Sequence, residues 1–279
     1  MTELLSTNPL PYIDLASATP AQVWQLISAE ARAASTAEPM LASFYHATIL
    51  NHQTFMAAIS FHLANKLDSQ ALPAMIIREV FVEAMQCDPN IELAMCRDIC
   101  AHRERDPACS HSFMPFLFFK GYHALQSWRV AHWLWQRGRN SLALYFQNQI
   151  SQHFDVDIHP GATIGKGIMI DHAMGVVIGE TTIIEDDVSM LHGVTLGGSG
   201  CTKTQRHPTI RRGVLIGVGA KILGNIDIGE GAKIGAGSVV LESVAAHTTV
   251  AGVPARLVGA PKVKAPALEM NHRLSDDEV

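Results

Sequence analysis

Four histidines in the C-terminal half are among the side chains of this sequence best suited to chemistry. His159, His172, His192 and His207 are separated by 13, 20 and 15 residues. A zinc site with three histidine ligands needs at least two of them closely spaced, and these four offer no such pair. Imidazole titrates near neutral pH and suits a general base. The spacing therefore favours proton transfer over zinc chemistry.

Other nucleophilic side chains are less suited to catalysis. Ser199 lies in the segment Gly197-Gly198-Ser199-Gly200-Cys201, which is not the strand-turn-helix elbow that activates a catalytic serine. The chain has five cysteines, and Cys96 and Cys100 lie one helical turn apart without the paired spacing of a zinc site. We expect reduced, mostly buried thiols.

A six-residue hydrophobic period in the C-terminal half defines the scaffold for these groups. The apolar positions are Ile158, Ile164, Ile170, Val176, Ile178, Ile184, Met190, Leu196, Ile210, Ile216, Ile222, Ile228, Ile234 and Val240. A small residue, often glycine, follows many of them. Neither the helical period of 3.6 nor a simple alternation of two explains this pattern. It predicts short strands joined by tight corners and stacked as a parallel β-helix from about Val156 to Val258.

Departures from the period predict where side chains meet. With three hexads per coil, residues 18 apart stack on one another. Two extra residues between Val176 and Ile184 would place His192 above His172, and Asp157 falls on the same face one coil below. The spacing of 14 from Leu196 to Ile210, interpreted as a two-residue excess, predicts a protruding loop around Gly198 to His207 that holds Ser199, Cys201, Lys203, Arg206 and His207.

The first 150 residues show the helical period instead. Helices are predicted over Val23–Ala34, Met40–Asn65, Ala74–Met85, Ile91–Arg103, Phe116–Gln136 and Leu142–Gln149. The fold class is therefore α+β, with an all-helical N-terminal domain (residues 1–150), a left-handed parallel β-helix of hexapeptide repeats (151–260) and a flexible C-terminal tail (261–279).

Composition excludes several functional classes. The net charge is -5, with acidic and basic residues interspersed, and this gives no electrostatic footprint for nucleic acid. The longest apolar run, Phe113 to Phe119, is too short to span a membrane, and the N-terminus lacks a basic segment followed by an apolar one. We expect a cytoplasmic protein.

Several motifs resemble those of the serine O-acetyltransferases, a hexapeptide-repeat acyltransferase family. In the C-terminal half they are Asp157-Ile158-His159-Pro160, Met169-Ile170-Asp171-His172, Val194-Thr195-Leu196-Gly197-Gly198, Arg206-His207-Pro208 and Ala251-Gly252-Val253-Pro254-Ala255-Arg256. The N-terminal half adds Glu38 to His46, Arg105-Asp106-Pro107-Ala108 and Lys120 to Gln126. The resemblance covers about residues 20 to 260.

This resemblance implies acetyl transfer from acetyl-CoA to the hydroxyl of L-serine, in the first step of cysteine biosynthesis from serine. It identifies His172 as the general base and Asp157 as the carboxylate that orients the imidazole, without an acyl-enzyme. Whether the two meet within one subunit stays open at this stage. No metal is implied.

The resemblance also supplies groups for the zwitterionic substrate. It implies that Arg206 and His207 bind the carboxylate, for which the arginine fork is well matched, and that Asp106 and Asp171 bind the ammonium group. The two aspartates have a second interpretation as caps of a helix end and a turn. Feedback inhibition by cysteine would use the same groups, because cysteine differs from serine only at the side-chain heteroatom.

Contacts with CoA are expected from four residues. Lys221 and Lys233 occupy equivalent positions before Ile222 and Ile234, and predict a basic stripe along one face, although solvated lysines would give the same pattern. Gly198 and Ala220 are expected to contribute backbone contacts.

The resemblance further implies a homotrimer through the β-helix, often paired into a hexamer through the helical domain. The family's C-terminal tail binds O-acetylserine sulfhydrylase and usually ends in Ile. Here the last residue is Val279, one methylene smaller, which weakens the expectation of that partner.

Three other functional classes are alternatives to this interpretation. An acyltransferase for a sugar or antibiotic hydroxyl would lack Asp106 and the helical-domain motifs. A γ-type carbonic anhydrase needs three zinc-binding histidines, and a non-catalytic scaffold would have no use for the residues matched above.

His192 is either a partner of His172 or a packed, hydrogen-bonded residue, and His159 is interpreted as a corner residue.

Overall fold

The structure is a computed structural model that describes Leu15, residues 17–200 and residues 203–274. The N-terminal part of these residues is helical. Its α-helices are α1 (Pro20–Ala37), α2 (Ala42–Tyr45), α3 (Phe55–Lys66), α4 (Ala74–Cys87), α5 (Pro89–Arg105), α6 (Phe113–Phe118), α7 (Lys120–Gln136) and α8 (Asn140–Phe154). A capping box formed by Thr19 and Gln22 begins α1, and Asp155, in the left-handed conformation, ends α8.

Two predicted helices are wrong in extent. The predicted helix Met40–Asn65 is divided into a 3₁₀ turn (Pro39–Leu41), α2, a π-helical turn (His46–Leu50) and α3. The break before α3 arises because the Thr54 side chain accepts the Ala57 N–H as an N-cap. The predicted helix Phe116–Gln136 is also divided, since Phe119 has an extended backbone between α6 and α7.

The C-terminal half is a parallel β-helix, as predicted. Its strands are β1 (Val156–Ile158), β2 (Thr163–Ile164), β3 (Met169–Ile170), β4 (Val176–Ile178), β5 (Ile183–Ile184), β6 (Ser189–Met190), β7 (Thr195–Gly197), β8 (Thr209–Ile210), β9 (Leu215–Ile216), β10 (Lys221–Leu223), β11 (Asp227–Ile228), β12 (Lys233–Ile234), β13 (Val239–Val240), β14 (Thr249–Gly252) and β15 (Ala255–Gly259).

Three sheets form the sides of the prism. We name them face A (β1-β4-β7-β10-β13), face B (β2-β5-β8-β11) and face C (β3-β6-β9-β12-β14-β15). Pairing is parallel throughout except between β14 and β15. The isoleucine ladder points inward on every face, and Ile222 and Ile228, for example, are fully buried. Several glycines after the rungs serve close approach, since a Cβ on Gly217 would lie 2.6 Å from the Ala236 nitrogen.

The strand register corrects both predicted irregularities. Ile158 pairs with Ile178, so the first coil has two extra residues, but they lie between Ile170 and Ile178, before Val176 and not after it. The segment Asp171–Gly175 therefore forms a wide corner, which we call the insertion corner. The loop after Leu196 is larger than predicted, because six residues would continue the repeat and 14 are present, an excess of eight.

A buried polar network attaches the helices to the first coils. Asp98 on α5 is fully buried and accepts hydrogen bonds from Arg129 (2.7 Å), Gln126 and the Ile168 backbone N–H. Burial raises the pKa of Asp98, and the Arg129 guanidinium opposes that rise. Arg129 also donates to the carbonyl oxygen of Gly165 at 2.7 Å. This network fixes α5 and α7 against the prism.

The C-terminal segment differs from the flexible tail predicted for residues 261–279. Residues 266–269 form a short helix, α9 (Pro266–Glu269), in which Ala267 is fully buried and its carbonyl accepts a hydrogen bond from Ser189 at 2.9 Å. Apolar packing thus orders a segment whose prolines and charges suggested disorder. The last five residues lie outside the described part of the chain. The change from helix to strand falls between Phe154 and Val156, whereas the domain limits at 150 and 260 stay predictions.

The thiols partly follow the expectation. Cys96, Cys100 and Cys109 are buried and free, whereas Cys87 is exposed. Burial raises the pKa of Cys100 and of Cys109 to about 12, so both remain protonated at neutral pH. Cys201 lies outside the described residues.

Candidate active site

His172 lies in the insertion corner, on the edge between faces C and A. Both His172 (φ 55°) and Ala173 (φ 63°) have left-handed backbones, a conformation that costs of order 1–3 kcal/mol for a residue other than glycine. The His172 side chain is 64% exposed, and its Nε2 lies 3.6 Å from the Asp171 Oδ2. The two-residue insertion therefore presents an accessible imidazole beside a carboxylate.

His192 stacks on His172, as the coil register predicted. The two ring centroids are 5.7 Å apart and the rings are nearly perpendicular, at 79°. The Nδ1 atom of His192 is buried and has no hydrogen-bond partner within the described chain. This contact makes His192 a neighbour of His172, and the interpretation as a fully hydrogen-bonded packing residue does not hold for its Nδ1.

Asp157 lies on β1, the first strand of face A, and its neighbour in the next coil is Val177. Its Oδ1 accepts a hydrogen bond from Gln147 Nε2 on α8 at 2.7 Å. The expectation that Asp157 and His172 share a face is met only in part, because His172 lies on the corner that borders face A.

Arg206 and His207 are held at a different edge, where the long loop returns to the prism between faces A and B. The Thr181 hydroxyl accepts the backbone N–H groups of Arg206 (3.0 Å) and His207 (3.2 Å). The guanidinium of Arg206 is paired with the Glu180 carboxylate. The same loop is fastened by Gln205, which donates to the Thr181 carbonyl. Arg206 and His207 are thus both anchored to the corner that follows β4 in the preceding coil.

The hydrogen bonds of His207 determine its tautomer. Its Nδ1 accepts the Thr181 backbone N–H at 3.2 Å and lies 2.8 Å from the Thr181 hydroxyl. The neutral ring therefore carries its proton on Nε2, which is free to donate. Burial and the nearby Arg206 lower the pKa of His207, so the ring stays neutral at physiological pH. The imidazole lies over Gly179, where a Cβ would come within 2.0 Å of Nε2.

Asp106 lies at the C-terminal end of α5, where its Oδ1 caps the Ala108 N–H at 2.8 Å. The preceding residue, Arg105, donates to the Gly167 carbonyl (2.9 Å) and the Ser189 hydroxyl (3.1 Å) in the prism. Asp106 is therefore held against the first coils, and it does act as a local cap. Asp171 is adjacent to His172 in the insertion corner.

The structure brings together only part of the predicted site within one protomer. Asp171, His172 and His192 cluster at the edge between faces C and A. Arg206 and His207 lie at the edge between faces A and B. A strand of three residues, β4, separates these edges and spans about 10 Å. The two halves therefore face different directions from one rigid prism.

The residues expected to bind CoA are dispersed. Lys221 lies on face A, and its Nζ donates to the carbonyls of Gly193 (2.7 Å) and Gly219 (2.9 Å). Lys233 lies on face C, so the predicted single basic stripe is wrong: the 12 residues between the lysines carry the chain to another face. Lys233 is buried, with its Nζ at the carbonyl of Arg273. Gly198 is exposed beside His207, whereas Ala220 is fully buried.

In the described parts of the chain, no three residues of the histidine, cysteine or acidic types are grouped so as to hold a metal ion. His159 occupies a corner, where its Nδ1 accepts the Gly161 N–H at 2.9 Å. None of the helices in the described residues is both long and apolar enough to span a membrane.

Sequence reasoning missed three residues that support the site. Glu180 and Thr181 hold Arg206 and His207, and Gln147 contacts Asp157. The coil register with its correct eight-residue excess would have indicated the first two, since it stacks the returning loop on the corner after β4. No sequence signal pointed to Gln147, because its contact is made across the helix-to-strand junction.

Comparison with known proteins identifies the family. Residues 23–127 match the family described as "Serine acetyltransferase, N-terminal", and residues 207–242 match "Bacterial transferase hexapeptide (six repeats)". A serine acetyltransferase of Salmonella typhimurium is 58% identical over 91% of this chain and 93% of its own length.

Comparison with solved structures points to the same family. A serine acetyltransferase in complex with cysteine is 55% identical, with a TM-score of 0.90, over 91% of this chain and 99% of its own. A complex with CoA is 56% identical, with a TM-score of 0.83, over 86% of this chain and 100% of its own. The chain therefore belongs to the serine acetyltransferase family and is an acyltransferase built on the hexapeptide-repeat β-helix.

Proposed function

We propose that this chain transfers the acetyl group of acetyl-CoA to the hydroxyl of L-serine, releasing O-acetyl-L-serine and CoA, as the first step of cysteine biosynthesis from serine. The observation that carries the proposal is the insertion corner, where the His172 Nε2 lies 3.6 Å from the Asp171 carboxylate. An amino acid whose ammonium group rests on Asp171 brings its β-hydroxyl next to this nitrogen. In serine the ammonium group and the hydroxyl are carried by adjacent carbons, so one molecule can make both contacts.

His172 acts as the general base of the proposed reaction. Nε2 takes the serine hydroxyl proton while the oxygen attacks the thioester carbonyl, and Asp157 stabilises the resulting imidazolium through the other ring nitrogen. The tetrahedral adduct collapses with cleavage of the carbon–sulfur bond. The imidazolium returns its proton to the leaving thiolate, so no acyl-enzyme is needed. Acid–base help of this kind is typically worth roughly 100- to 10,000-fold in rate.

Arg206 and His207 bind the serine carboxylate, and Asp106 and Asp171 bind its ammonium group. The neutral His207 offers a fixed Nε2–H donor, and the Arg206 guanidinium has donors left after pairing with Glu180. Cysteine carries the same two charged groups and inhibits by occupying the same site. A serine acetyltransferase structure with bound cysteine supports this assignment.

The active site is completed by a second copy of the chain. One protomer contributes His172 and Asp171, and the neighbouring protomer contributes Arg206 and His207, because the two groups lie at different edges of one prism. We infer a homotrimer through the β-helices, paired into a hexamer through the helical domain of residues 1–150. CoA lies in the groove between prisms, where Lys221, Gly198 and Ala220 are candidate contacts. Contact with Lys233 requires displacement of the segment that carries Arg273.

We further propose that the protein works in the cytoplasm, with acetyl-CoA as its co-substrate and without a metal. O-acetylserine sulfhydrylase is the proposed partner, bound through residues 261–279, whose last residue Val279 lies outside the described chain.

Thiol release from acetyl-CoA tests the activity directly. Release is measured with L-serine, L-threonine, a sugar alcohol and no acceptor, for the native chain and for His172→Ala. We expect serine-dependent release that falls at least about 100-fold in the variant. Equal release with every acceptor, or an active His172→Ala, refutes the proposal.

Mixed oligomers test the shared site. His172→Ala and His207→Ala are each inactive or weakly active, and their co-assembled mixture regains activity because some sites receive both native halves. A mixture no more active than its components contradicts the shared site but not the reaction.

A further inference from the structure

The hydrogen bond between Gln147 and Asp157 joins the helical domain to the proposed catalytic carboxylate. We infer that Gln147 is a positioning residue that orients Asp157 toward His172. This inference rests on the proposed function, because it assigns Gln147 a role only through Asp157.

The position of β1 explains why a helix must provide this contact. Face A begins with β1, which pairs with β4 on one side only. Helix α8, which immediately precedes β1 in the chain, packs against this strand. Val156 and Ile158 point into the prism, and Asp157 between them points outward from the open edge. The carboxylate therefore lies where no earlier coil can supply a neighbour.

Gln147 is well fixed for its role. On α8, Phe146 and Ile150 are buried in the core, and their packing fixes the rotation of the helix about its axis. The direction in which Gln147 leaves the helix is therefore fixed as well. The Gln147 Nε2 donates to the Asp157 Oδ1 at 2.7 Å. Among the described residues, this amide is the hydrogen-bond partner that the structure gives to the Asp157 side chain.

One oxygen of a carboxylate that pairs with histidine must be aimed at the ring. The terminal torsion of aspartate is broad, so an unrestrained carboxylate rotates and its two oxygens exchange. A donor on Oδ1 stops this rotation and leaves Oδ2 for the imidazole. Partners of this outer kind typically change activity by about 10- to 100-fold when they are removed from metal-site histidine pairs, and this range sets the scale of the effect expected here.

Two substitutions separate the contribution of the hydrogen bond from that of volume. Gln147→Met keeps length and helix propensity but removes the donor. We expect kcat to fall about 10-fold, with the KM values for serine and acetyl-CoA changed less than about twofold. Gln147→Glu keeps the shape but places two carboxylates at hydrogen-bond distance, where both cannot ionise freely. Its pH–rate profile should rise only at a higher pH than that of the native enzyme.

The matched control is Gln152→Met on the same helix, since Gln152 is exposed. We expect its kcat and pH profile to be native. Midpoints of thermal unfolding for all variants report whether α8 remains folded, and only variants with native midpoints enter the comparison. If Gln147→Met unfolds the protein, Gln147→Glu and its pH profile still test the inference.

A double variant identifies the route of the effect. If Gln147 acts through Asp157, then Gln147→Met slows the native enzyme but not the Asp157→Ala enzyme. Equal slowing in both backgrounds, or no slowing in the native background, overturns the inference. If Asp157→Ala itself retains full kcat, the proposed role of Asp157 fails first, and the two failures are thereby distinguished.

Discussion

Replacing Gly179 by alanine should damage serine binding while leaving the fold intact. The His207 imidazole lies over Gly179, and an added Cβ would meet its Nε2 at 2.0 Å. Ordinary van der Waals contact begins near 3.4 Å, so the ring must move by about 1.4 Å. That movement breaks the contacts of Nδ1 with Thr181, which are 2.8 and 3.2 Å long. The backbone of Gly179 is not among the left-handed residues, so alanine can adopt it.

The magnitude follows from the lost donor. A hydrogen bond to a charged group is worth about 1.5–3 kcal/mol, and each 1.4 kcal/mol changes a binding constant tenfold. The KM for serine should therefore rise roughly 10- to 150-fold, with the KM for acetyl-CoA little changed. Inhibition by cysteine should weaken by a similar factor, because the proposed function assigns His207 to the carboxylates of both amino acids. The assay follows the loss of the acetyl-CoA thioester absorbance at varied serine and cysteine concentrations, because the thiol of added cysteine would mask the thiol of released CoA.

Gly200→Ala is the control on the same loop, since a Cβ there has no neighbour within 4 Å. It should behave like the native enzyme. A Gly179→Ala enzyme with native KM for serine would refute the assignment of His207 to the carboxylate. A rise in the KM for acetyl-CoA alone would move His207 to the CoA site instead.

Three further predictions concern stability and are measured by denaturant unfolding. Asp98→Ala leaves the Arg129 charge buried without its partner and should lower the free energy of unfolding by about 3–5 kcal/mol; a loss below about 1 kcal/mol contradicts a tightly paired network. Ile222→Ala should cost about 2–5 kcal/mol by opening a cavity in the prism, and a native midpoint would exclude tight packing there. Burial lowers the pKa of His62 and of His102 to about 3, whereas histidine in the unfolded chain titrates near 6.5. The unfolded state therefore binds more protons below pH 6.5, and stability should fall from there toward pH 3 by up to about 1.4 kcal/mol per pH unit for each histidine; a flat profile between pH 7 and 5 contradicts this.

Periodicity alone predicted most of the scaffold. A hexad is one strand and one corner, so the isoleucine ladder fixes the inward positions of all three faces without reference to packing partners. The stacking of His172 and His192 followed from the two-residue insertion, and it holds because Ile170 does pair with Met190. Local repeats of this kind are strong because each coil contacts mainly its neighbours.

The errors in the predicted strand register and loop length arose where the six-residue repeat is interrupted. The ladder contains both Val176 and Ile178, and only strand pairing shows that Ile178 is the true rung above Ile158. The loop after Leu196 was compared with a spacing of two hexads, although Leu196 and Ile210 lie only one hexad apart in the repeat. Six of the eight extra residues were therefore missed. Lys221 and Lys233 appeared equivalent in the repeat, although a shift of two hexads changes the face.

Contacts between the two halves of the chain could not be predicted from either pattern. Gln147 and Asp157 are ten residues apart, one in a helical period and the other in a hexad, and neither period extends across the junction. The ordering of α9 depends likewise on Ser189, almost 80 residues earlier. Such contacts depend on how a helical surface meets a sheet edge, which is a property of the packed structure.

The two irregularities of the solenoid have complementary consequences for the proposed reaction. The insertion corner forces His172 into a left-handed backbone and exposes its ring, whereas the eight-residue excess brings His207 onto Gly179 at another edge. A solenoid is too rigid to fold these edges onto each other, and a flat face of three-residue strands cannot enclose a small amino acid. On the proposed assembly, the edge of one prism therefore meets the other edge of its neighbour, and the base and the carboxylate-binding pair become one site only in the oligomer.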